Sequence, residues 1–228
     1  MPSPGLSTGE PAFDQLLGDG LERKIITQIF GEPASGKSTL CIMAAVSCLN
    51  TGKGVILMDS EGFSIERFRQ IAGTRAHELA ENLLLFEPED FEQQGIMIGR
   101  MHEILKEREI GLIVLDSATG LYRTRLDLGR EAMQKLTQQV IRLLGYAKRY
   151  DIPVIITNQV YMDPQKNVYV GLGGTALEHI SKVILQTKRK NTHRRLTLVK
   201  HRSRPPGDNF DFFITEAGIT VIPPPKTV

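Results

Sequence analysis

A nine-residue segment near the start of the chain has the residue types and spacing needed to hold a row of phosphates. It matches the pattern G-x-x-x-x-G-K-[ST] and reads Gly31-Glu32-Pro33-Ala34-Ser35-Gly36-Lys37-Ser38-Thr39. Glycines let successive backbone N–H groups point inward, and the amino end of the following helix adds positive charge. Lys37 can then bridge the β- and γ-phosphates, and Ser38 can bind Mg²⁺. The segment predicts a site for ATP and Mg²⁺; the alternative is a glycine-rich turn before a helix with an exposed lysine.

Two carboxylates follow predicted strands at positions where a bound triphosphate would need them. Asp116 comes directly after the apolar run 112–115, and a carboxylate at the end of a parallel strand can hold Mg²⁺ through water. Glu61 lies in the segment Asp59-Ser60-Glu61-Gly62, where it can face the γ-phosphate and orient an attacking water. Each has a structural alternative: Asp116 as a helix N-cap or turn residue, and Glu61 as a capping residue.

A third predicted strand ends in an amide side chain. Gln159 closes the segment Thr157-Asn158-Gln159, and its side chain can hydrogen-bond a γ-phosphate oxygen or a neighbouring loop. Residues 160–174 follow, contain glycines and lack helical periodicity. They predict a mobile loop that responds to loss of the phosphate, with a plain connection between strand and helix as the alternative.

These side chains can meet only if a sheet brings several strand ends to one edge. Five short apolar runs, 25–30, 55–58, 83–86, 112–115 and 153–157, are typical of strands covered on both faces of a parallel sheet. Helix-length segments alternate with them at 38–50, 64–79, 90–108 and 129–150. After residue 181 the pattern changes to hairpin-connected strands at 183–186, 196–199, 210–214 and 219–222. We therefore predict an α/β fold with a doubly wound, mainly parallel sheet and an antiparallel C-terminal edge.

The composition indicates one globular domain spanning residues 1–228. Of its 228 residues 41% are apolar and 24% charged, and the formal net charge is +2, which excludes disordered, collagen-like and disulfide-rich classes. Cys41 and Cys48 lie in one predicted helix, about 10 Å apart, and so predict buried thiols in a reducing compartment. The sequence shows neither an apolar leader nor a run of 18 apolar residues, so we expect a cytoplasmic protein without a membrane partner.

Positive charge is concentrated towards the C-terminus. Nine Lys and Arg but no Asp or Glu lie between Glu178 and Asp208. Around a predicted turn at residues 191–192 the cluster consists of Lys188, Arg189, Lys190, Arg194 and Arg195. Such a cluster can neutralise the phosphates of DNA. Alternatively, it belongs to a solvated edge hairpin whose charges prevent pairing with other sheets.

Several segments resemble the ATPase core of the RecA-type recombinases, in particular their archaeal and eukaryotic branch. Leu6-Ser7-Thr8-Gly9 and Phe13-Asp14-Gln15-Leu16-Leu17-Gly18-Asp19-Gly20 resemble the entry to that core. Leu115-Asp116-Ser117-Ala118-Thr119-Gly120-Leu121-Tyr122-Arg123-Thr124 and Val154-Ile155-Ile156-Thr157-Asn158-Gln159-Val160 resemble its Walker B strand and the strand before its second DNA-binding loop. The resemblance covers essentially the whole chain and implies a RecA-type P-loop ATPase fold, as in the short archaeal paralogues of this family.

The resemblance implies a role for each residue of the predicted site. Lys37 corresponds to the Walker A lysine, Ser38 to the Mg²⁺-binding hydroxyl, Glu61 to the catalytic glutamate, Asp116 to the Walker B aspartate and Gln159 to the γ-phosphate sensor. These implied roles agree with the chemistry argued from the residue types.

The resemblance also implies surfaces for DNA and for a neighbouring subunit. A first DNA-facing loop falls at 122–130, with Arg123, Arg125 and Arg130, and a second at 160–174. A solvated helix entry is the alternative for these arginines. Lys200, His201 and Arg202 end a predicted strand, where related ATPases place cations that reach the nucleotide of the next subunit.

The sequence departs from full recombinases of this branch in ways that bear on function. Only five residues precede Leu6, so we expect neither the N-terminal helical DNA-binding domain nor the Phe-x-x-Ala linker that docks on the next protomer. Ser64 stands where those enzymes place an arginine beside the adenine, and segment 160–174 is shorter than theirs. We therefore expect an accessory protein or mediator of homologous recombination and DNA repair, with weak or DNA-dependent ATPase activity.

The expected partners follow from this interpretation. They are DNA, single-stranded first and double-stranded second, a full-length recombinase, a recombination nuclease, and further copies of the chain in a small homo-oligomer. Two other functions share the phosphate loop: a P-loop kinase of a small acceptor, and a non-catalytic module in which the nucleotide only sets a partner-binding conformation. A kinase would need an arginine-bearing lid and an acceptor pocket, neither of which the sequence indicates.

Overall fold

The fold is built on a large β-sheet whose strands alternate with helices along the chain. The computed structural model describes residues 4–163 and 168–223. The strands are β1 Ile26–Gly31, β2 Gly54–Asp59, β3 Leu83–Phe86, β4 Ile110–Asp116, β5 Val154–Asn158, β6 Val160–Asp163, β7 Val168–Gly171, β8 Val183–Arg189, β9 Arg194–Lys200, β10 Asn209–Thr215 and β11 Gly218–Ile222. The helices are α1 Pro11–Leu17, α2 Lys37–Leu49, α3 Ile65–Ala72, α4 Ala76–Ala80, α5 Phe91–Glu107, α6 Arg130–Tyr150 and α7 Gly174–Ile180.

Nine of these strands form one sheet in the order β11-β10-β9-β8-β1-β5-β4-β2-β3. Neighbours from β8 to β3 run parallel, whereas β9, β10 and β11 join in antiparallel register. All residues of β4 and β5 are buried, as expected for strands that helices cover on both faces. The predicted doubly wound sheet with an antiparallel C-terminal edge is therefore confirmed.

Two apolar layers hold the sheet from opposite sides. On one face Leu40 of α2 belongs to the same buried cluster as Leu112 of β4. On the other face Ile98 of α5 and Leu136 of α6 share a cluster with Ile156 of β5. Because β1, β2, β4 and β5 run in one direction, their carboxyl ends lie together at one edge of the sheet.

The prediction of one continuous helix over residues 64–79 is wrong, because the structure has two helices there. Helix α3 ends at Ala72, a 3₁₀ turn spans Gly73–Arg75, and α4 begins at Ala76. Gly73 has a φ of 60°, a conformation that glycine adopts at little cost and that ends an α-helix. The apolar periodicity continues across this break, which explains why the sequence pattern did not reveal it.

The prediction of a mobile loop at residues 160–174 missed the secondary structure within this segment. Strands β6 and β7 pair as an antiparallel hairpin separate from the main sheet, and α7 begins at Gly174. Residues 164–167 of this predicted loop lie outside the described residues. Helices α1 and α7 were not predicted, because seven residues are too few to display a helical period.

Both cysteines are buried and unpaired in α2, as their spacing predicts. Within residues 4–163 and 168–223, no helix combines the length and apolar character needed to cross a membrane.

Candidate functional site

The phosphate loop connects β1 to α2 and has the backbone that its glycines predict. Gly36 precedes the first helical residue with a φ of 100°. A Cβ at Gly31 would lie 2.2 Å from Thr187 Oγ1, so only glycine allows the loop to pack this closely against β8. No described side chain caps the amino end of α2. Its first N–H groups are therefore available to an anion, with the positive end of the helix dipole behind them.

Lys37 turns back into this loop. Its Nζ donates hydrogen bonds to the carbonyl oxygens of Gly31 at 2.8 Å and Glu32 at 3.1 Å. Burial lowers the pKa of Lys37, while the nearby carboxylates of Asp116 and Glu61 oppose that shift. A desolvated ammonium beside unused N–H donors is the donor set that a phosphate chain requires.

A cleft of about 100 Å³ opens beside the loop and gathers the predicted carboxylates. Asp59 and Asp116 are register partners at the ends of β2 and β4. They share the cleft walls with Ser38, Thr39 and Glu61. The adjacency of β2 and β4 in the sheet is what brings these residues together.

Burial dominates the electrostatics of the two aspartates. It raises the pKa of Asp59 to about 6 and raises the pKa of Asp116 above its usual range. Hydrogen bonds from Thr157 and Ser38 to Asp116 lower its pKa and partly offset this effect. A cation in the cleft would favour the charged forms of both carboxylates.

The donors fit Mg²⁺ that is held together with a phosphate chain. Ser38 supplies a hydroxyl and Asp116 a carboxylate, both oxygen ligands of the kind that Mg²⁺ prefers. Among the described residues, no group of three or more His, Cys, Asp and Glu forms a metal site by itself. Mg²⁺ usually takes only one or two protein ligands and completes its shell with phosphate and water oxygens, so a hydroxyl and a carboxylate are enough protein ligands for it.

Glu61 is joined to Gln159 and Arg123 by consecutive hydrogen bonds. Glu61 Oε1 accepts from Gln159 Nε2 at 2.7 Å and from Ser117 Oγ at 2.8 Å. Gln159 Oε1 in turn accepts from Arg123 Nη1 at 2.7 Å. The cap of α3 is Ser64, which accepts from the Arg67 N–H, so Glu61 does not cap that helix. The structure thus brings the predicted glutamate, sensor and first-loop arginine into one chain of contacts.

The other two arginines of the predicted first DNA-facing loop take no part in this series of hydrogen bonds. Residues Tyr122–Leu128 form a 3₁₀ segment, with Tyr122 buried against Phe91. Arg125 is half-buried and its Nη1 lies 3.5 Å from Glu92 Oε2, whereas Arg130 is exposed at the start of α6. Arg123 and Arg130 are therefore the more accessible cations of this loop.

The basic cluster forms the tip of the β8–β9 hairpin and packs beside the phosphate loop. Lys188, Arg189 and Lys190 are exposed. Glu32 Oε1 accepts from the Arg189 N–H at 2.8 Å, and the buried Ser35 and Thr187 hydroxyls lie 2.6 Å apart. The sequence did not reveal this contact, because residues separated by more than 150 positions meet only through the pairing of β1 with β8.

Two cations predicted to act on a neighbouring subunit are engaged within this chain. Lys200 Nζ donates to the carbonyl oxygens of Glu178 at 2.5 Å and Ser181 at 2.9 Å, at the end of α7. Arg202 pairs with Glu22. Both would have to leave these partners before reaching another subunit's nucleotide.

The chain is similar to known proteins over nearly its whole length. A model of the Rad51 family matches residues 5–222. The chain is 61% identical over 219 residues to the "DNA repair and recombination protein RadB" of Methanoculleus marisnigri, covering 95% of this chain and 98% of that protein. It is 43% identical over 218 residues to the protein of the same name from Methanococcoides burtonii, covering 94% and 96% respectively. A solved structure described as the RadB recombinase has a TM-score of 0.78 and 36% identity, covering 94% of this chain and 98% of that chain.

Proposed function

This chain belongs to the Rad51 family, and from that premise we propose that it binds ATP with Mg²⁺, binds DNA and acts in homologous recombination and DNA repair. The observation that supports this most directly is the convergence of Lys37, Glu61, Asp116 and Gln159 around one strand-end cleft. The relatives' name, "DNA repair and recombination protein", supports the biological role.

In the nucleotide site, the residues of the phosphate loop bind and orient the triphosphate. Lys37 exchanges its contacts with the Gly31 and Glu32 carbonyls for phosphate oxygens, and the N–H groups at the start of α2 bind the remaining phosphate charge. Ser38 and Asp116 would hold Mg²⁺, which when bound neutralises phosphate charge and polarises the γ-phosphate.

Glu61 acts as the base that orients and deprotonates the attacking water. Its carboxylate lies at the rim of the cleft, and Ser117 and Gln159 hold Oε1 in place. The second carboxylate oxygen is the one we assign to the water. General bases of this kind contribute rate enhancements of about 10²- to 10⁴-fold.

DNA contacts Arg123, Arg130 and the basic tip of the β8–β9 hairpin, and we assign the coupling to Arg123. A guanidinium that binds a DNA phosphate gives up its present geometry with Gln159, whose amide also contacts Glu61. Hydrolysis would therefore respond to DNA, which corresponds to a weak, DNA-dependent ATPase. Acting as one domain of residues 1–228, the protein would assist a full-length recombinase and work with a recombination nuclease.

A non-catalytic, nucleotide-gated binding module is the second candidate. It is favoured by the two donors that already occupy Glu61 Oε1, because these contacts give the carboxylate a structural role in holding Ser117 and Gln159.

The test of the nucleotide site is the change Lys37→Ala, measured by direct titration with ATP and Mg²⁺. We expect the affinity for ATP to fall at least about tenfold, because the change removes a charge-assisted contact to two phosphates. Lys148→Ala on the exposed face of α6 is the matched control and should bind ATP as the unmodified chain does. Equal ATP affinity in the Lys37 and Lys148 variants would refute the assignment.

A further inference from the structure

The turns that follow β2 and β4 are pinned to each other beside the cleft. Ser60 N–H donates to the Asp116 carbonyl oxygen at 2.8 Å. The Ser117 N–H donates to Ser60 Oγ at 3.0 Å, and Ser60 Oγ donates to the Ser117 carbonyl oxygen at 3.1 Å. These reciprocal bonds make the two turns one rigid unit, and Glu61 extends from it.

Asp59 fixes the backbone from which Glu61 extends. Its Oδ1 accepts hydrogen bonds from the N–H groups of Glu61 at 2.8 Å and Gly62 at 2.5 Å. Asp59 is only 7% exposed, so water competes weakly for this oxygen. Two bonds to one buried acceptor leave the Glu61 main chain little freedom to rotate.

Gly120 leaves the space that the Glu61 carboxylate needs. A Cβ at this position would lie 2.7 Å from Ser60 Oγ, 3.0 Å from Ser117 Oγ and 3.3 Å from Glu61 Oε1. The backbone of Gly120 does not require a positive φ, so the need for glycine here is one of space. A single added methyl group would push against all three oxygens.

We propose that Asp59 and Gly120 are positioning residues for Glu61: Asp59 holds its main chain through Oδ1, and Gly120 keeps room for its carboxylate. This rests on the proposed role of Glu61 in ATP hydrolysis. A misplacement of about 1 Å can cost about 100-fold in rate, so the geometry of these two residues bears directly on turnover.

The main competing role for Asp59 is a charge that holds Mg²⁺ beside Asp116, its neighbour on β4. The substitutions Asp59→Asn and Asp59→Ala separate the two roles. Asparagine keeps an Oδ1 acceptor for both N–H groups but removes the charge, whereas alanine removes both. A positioning role predicts rescue by asparagine, and a charge role predicts that both variants fail alike.

The experiment measures kcat and KM for ATP with saturating single-stranded DNA, together with hydrogen exchange at the amides of Glu61 and Gly62. For Asp59→Ala we expect kcat to fall at least about tenfold with KM changed less than about threefold, and the two amides to lose protection. Asp59→Asn should stay within about threefold of the unmodified kcat and keep both amides protected. Equal losses in the two variants, or unchanged protection in Asp59→Ala, would overturn the proposal for Asp59.

Gly120→Ala tests the spatial requirement, with Gly145→Ala as its matched control. Gly145 lies on α6, and a Cβ there would meet no atom within 4 Å outside the adjacent helix backbone. We expect kcat to fall about tenfold or more in Gly120→Ala, with ATP affinity close to that of Gly145→Ala. Equal kcat in the two glycine variants would overturn the role of Gly120. If the unmodified chain shows no turnover with DNA, the proposed hydrolysis fails and this catalytic use fails with it, while the exchange data still decide whether Asp59 holds the turn.

Discussion

Asp59, Glu61 and Asp116 place three carboxylates around a cleft beside the phosphate loop, and the charges of Asp116 and Glu61 act on the Lys37 ammonium of that loop. Burial raises the pKa of both aspartates and lowers that of the lysine. Each shift shows that the protein interior alone solvates these charges poorly. Mg²⁺ and a phosphate chain would supply opposite charges to both kinds of group, which is why the cleft suits a nucleotide with its metal.

The ion pair between Arg195 and Asp211 offers a test of how charge stabilises the fold. Arg195 donates from Nε and Nη2 to the two oxygens of Asp211, each at 2.7 Å, and this contact lowers the pKa of Asp211. A carboxylate with a lowered pKa stabilises the fold above its unfolded pKa of about 3.9, and that contribution disappears as the pH falls through the folded value. We expect Asp211→Asn to lower the free energy of unfolding by about 1 kcal/mol at pH 7. Denaturant unfolding should show this difference shrinking at about pH 3.

The matched control for that prediction is Asp208→Asn. Asp208 is more exposed, and its Oδ2 lies 3.7 Å from Arg204, so we expect a decrease below about 0.5 kcal/mol. If Asp211→Asn lowers the free energy of unfolding equally at pH 7 and at about pH 3, the ion pair is not the source of the loss.

At the residue scale, the sequence predicted which groups could do chemistry but not which residues hold those groups in place. Lys37, Ser38, Glu61, Asp116 and Gln159 could be found because each follows a strand in a recognisable pattern. The bonds from Asp59 to two N–H groups and the space at Gly120 could not be predicted. They depend on the distance between two turns that are 57 residues apart in the chain.

The β8–β9 hairpin packs directly against the phosphate loop. Its backbone at Arg189 contacts Glu32, and Thr187 contacts Ser35. The hairpin tip therefore lies next to the proposed nucleotide site and exposes Lys188, Arg189 and Lys190. Such a surface attracts a polyanion through charge rather than through base recognition.

We predict that removing charge from either basic element weakens binding to single-stranded DNA. One variant carries Arg123→Gln and Arg130→Gln, and another carries Lys188→Gln, Arg189→Gln and Lys190→Gln. Fluorescence anisotropy over a range of salt concentrations should show lower affinity, with a salt slope reduced by about 0.7 for each DNA phosphate that the variant no longer neutralises.

The control for both variants carries Lys106→Gln and Lys148→Gln on the exposed faces of α5 and α6. It removes two positive charges from another surface and should bind DNA nearly as the unmodified chain does. If neither basic variant differs from this control, DNA does not use these surfaces.

At the element scale, burial decided which predictions succeeded. The central strands could be predicted because helices cover both of their faces and their residues are almost all apolar. The break after α3 depends on the conformation of Gly73, and the β6–β7 hairpin depends on pairing between strands of four residues. Neither leaves a periodic signal in the sequence.

In the whole molecule, the parallel order of the central strands creates the candidate site. β1 leads into the phosphate loop, while β2, β4 and β5 end beside Glu61, Asp116 and Gln159. The strand order β1-β5-β4-β2 is thus sufficient to collect groups that are distant along the chain. The chain of contacts from Glu61 to Arg123 then extends from this site to the surface.

The proposed link between DNA binding and ATP hydrolysis is tested most directly by ATP turnover with and without single-stranded DNA. Turnover is compared between the unmodified chain and Glu61→Gln, with ATP binding measured alongside. We predict that DNA raises turnover in the unmodified chain, because Arg123 and Gln159 connect the proposed DNA-facing loop to Glu61. Glu61→Gln should bind ATP within about threefold of normal affinity and turn it over about 100-fold more slowly. Turnover that DNA leaves unchanged, or a Glu61→Gln chain as active as the unmodified one, would contradict the account.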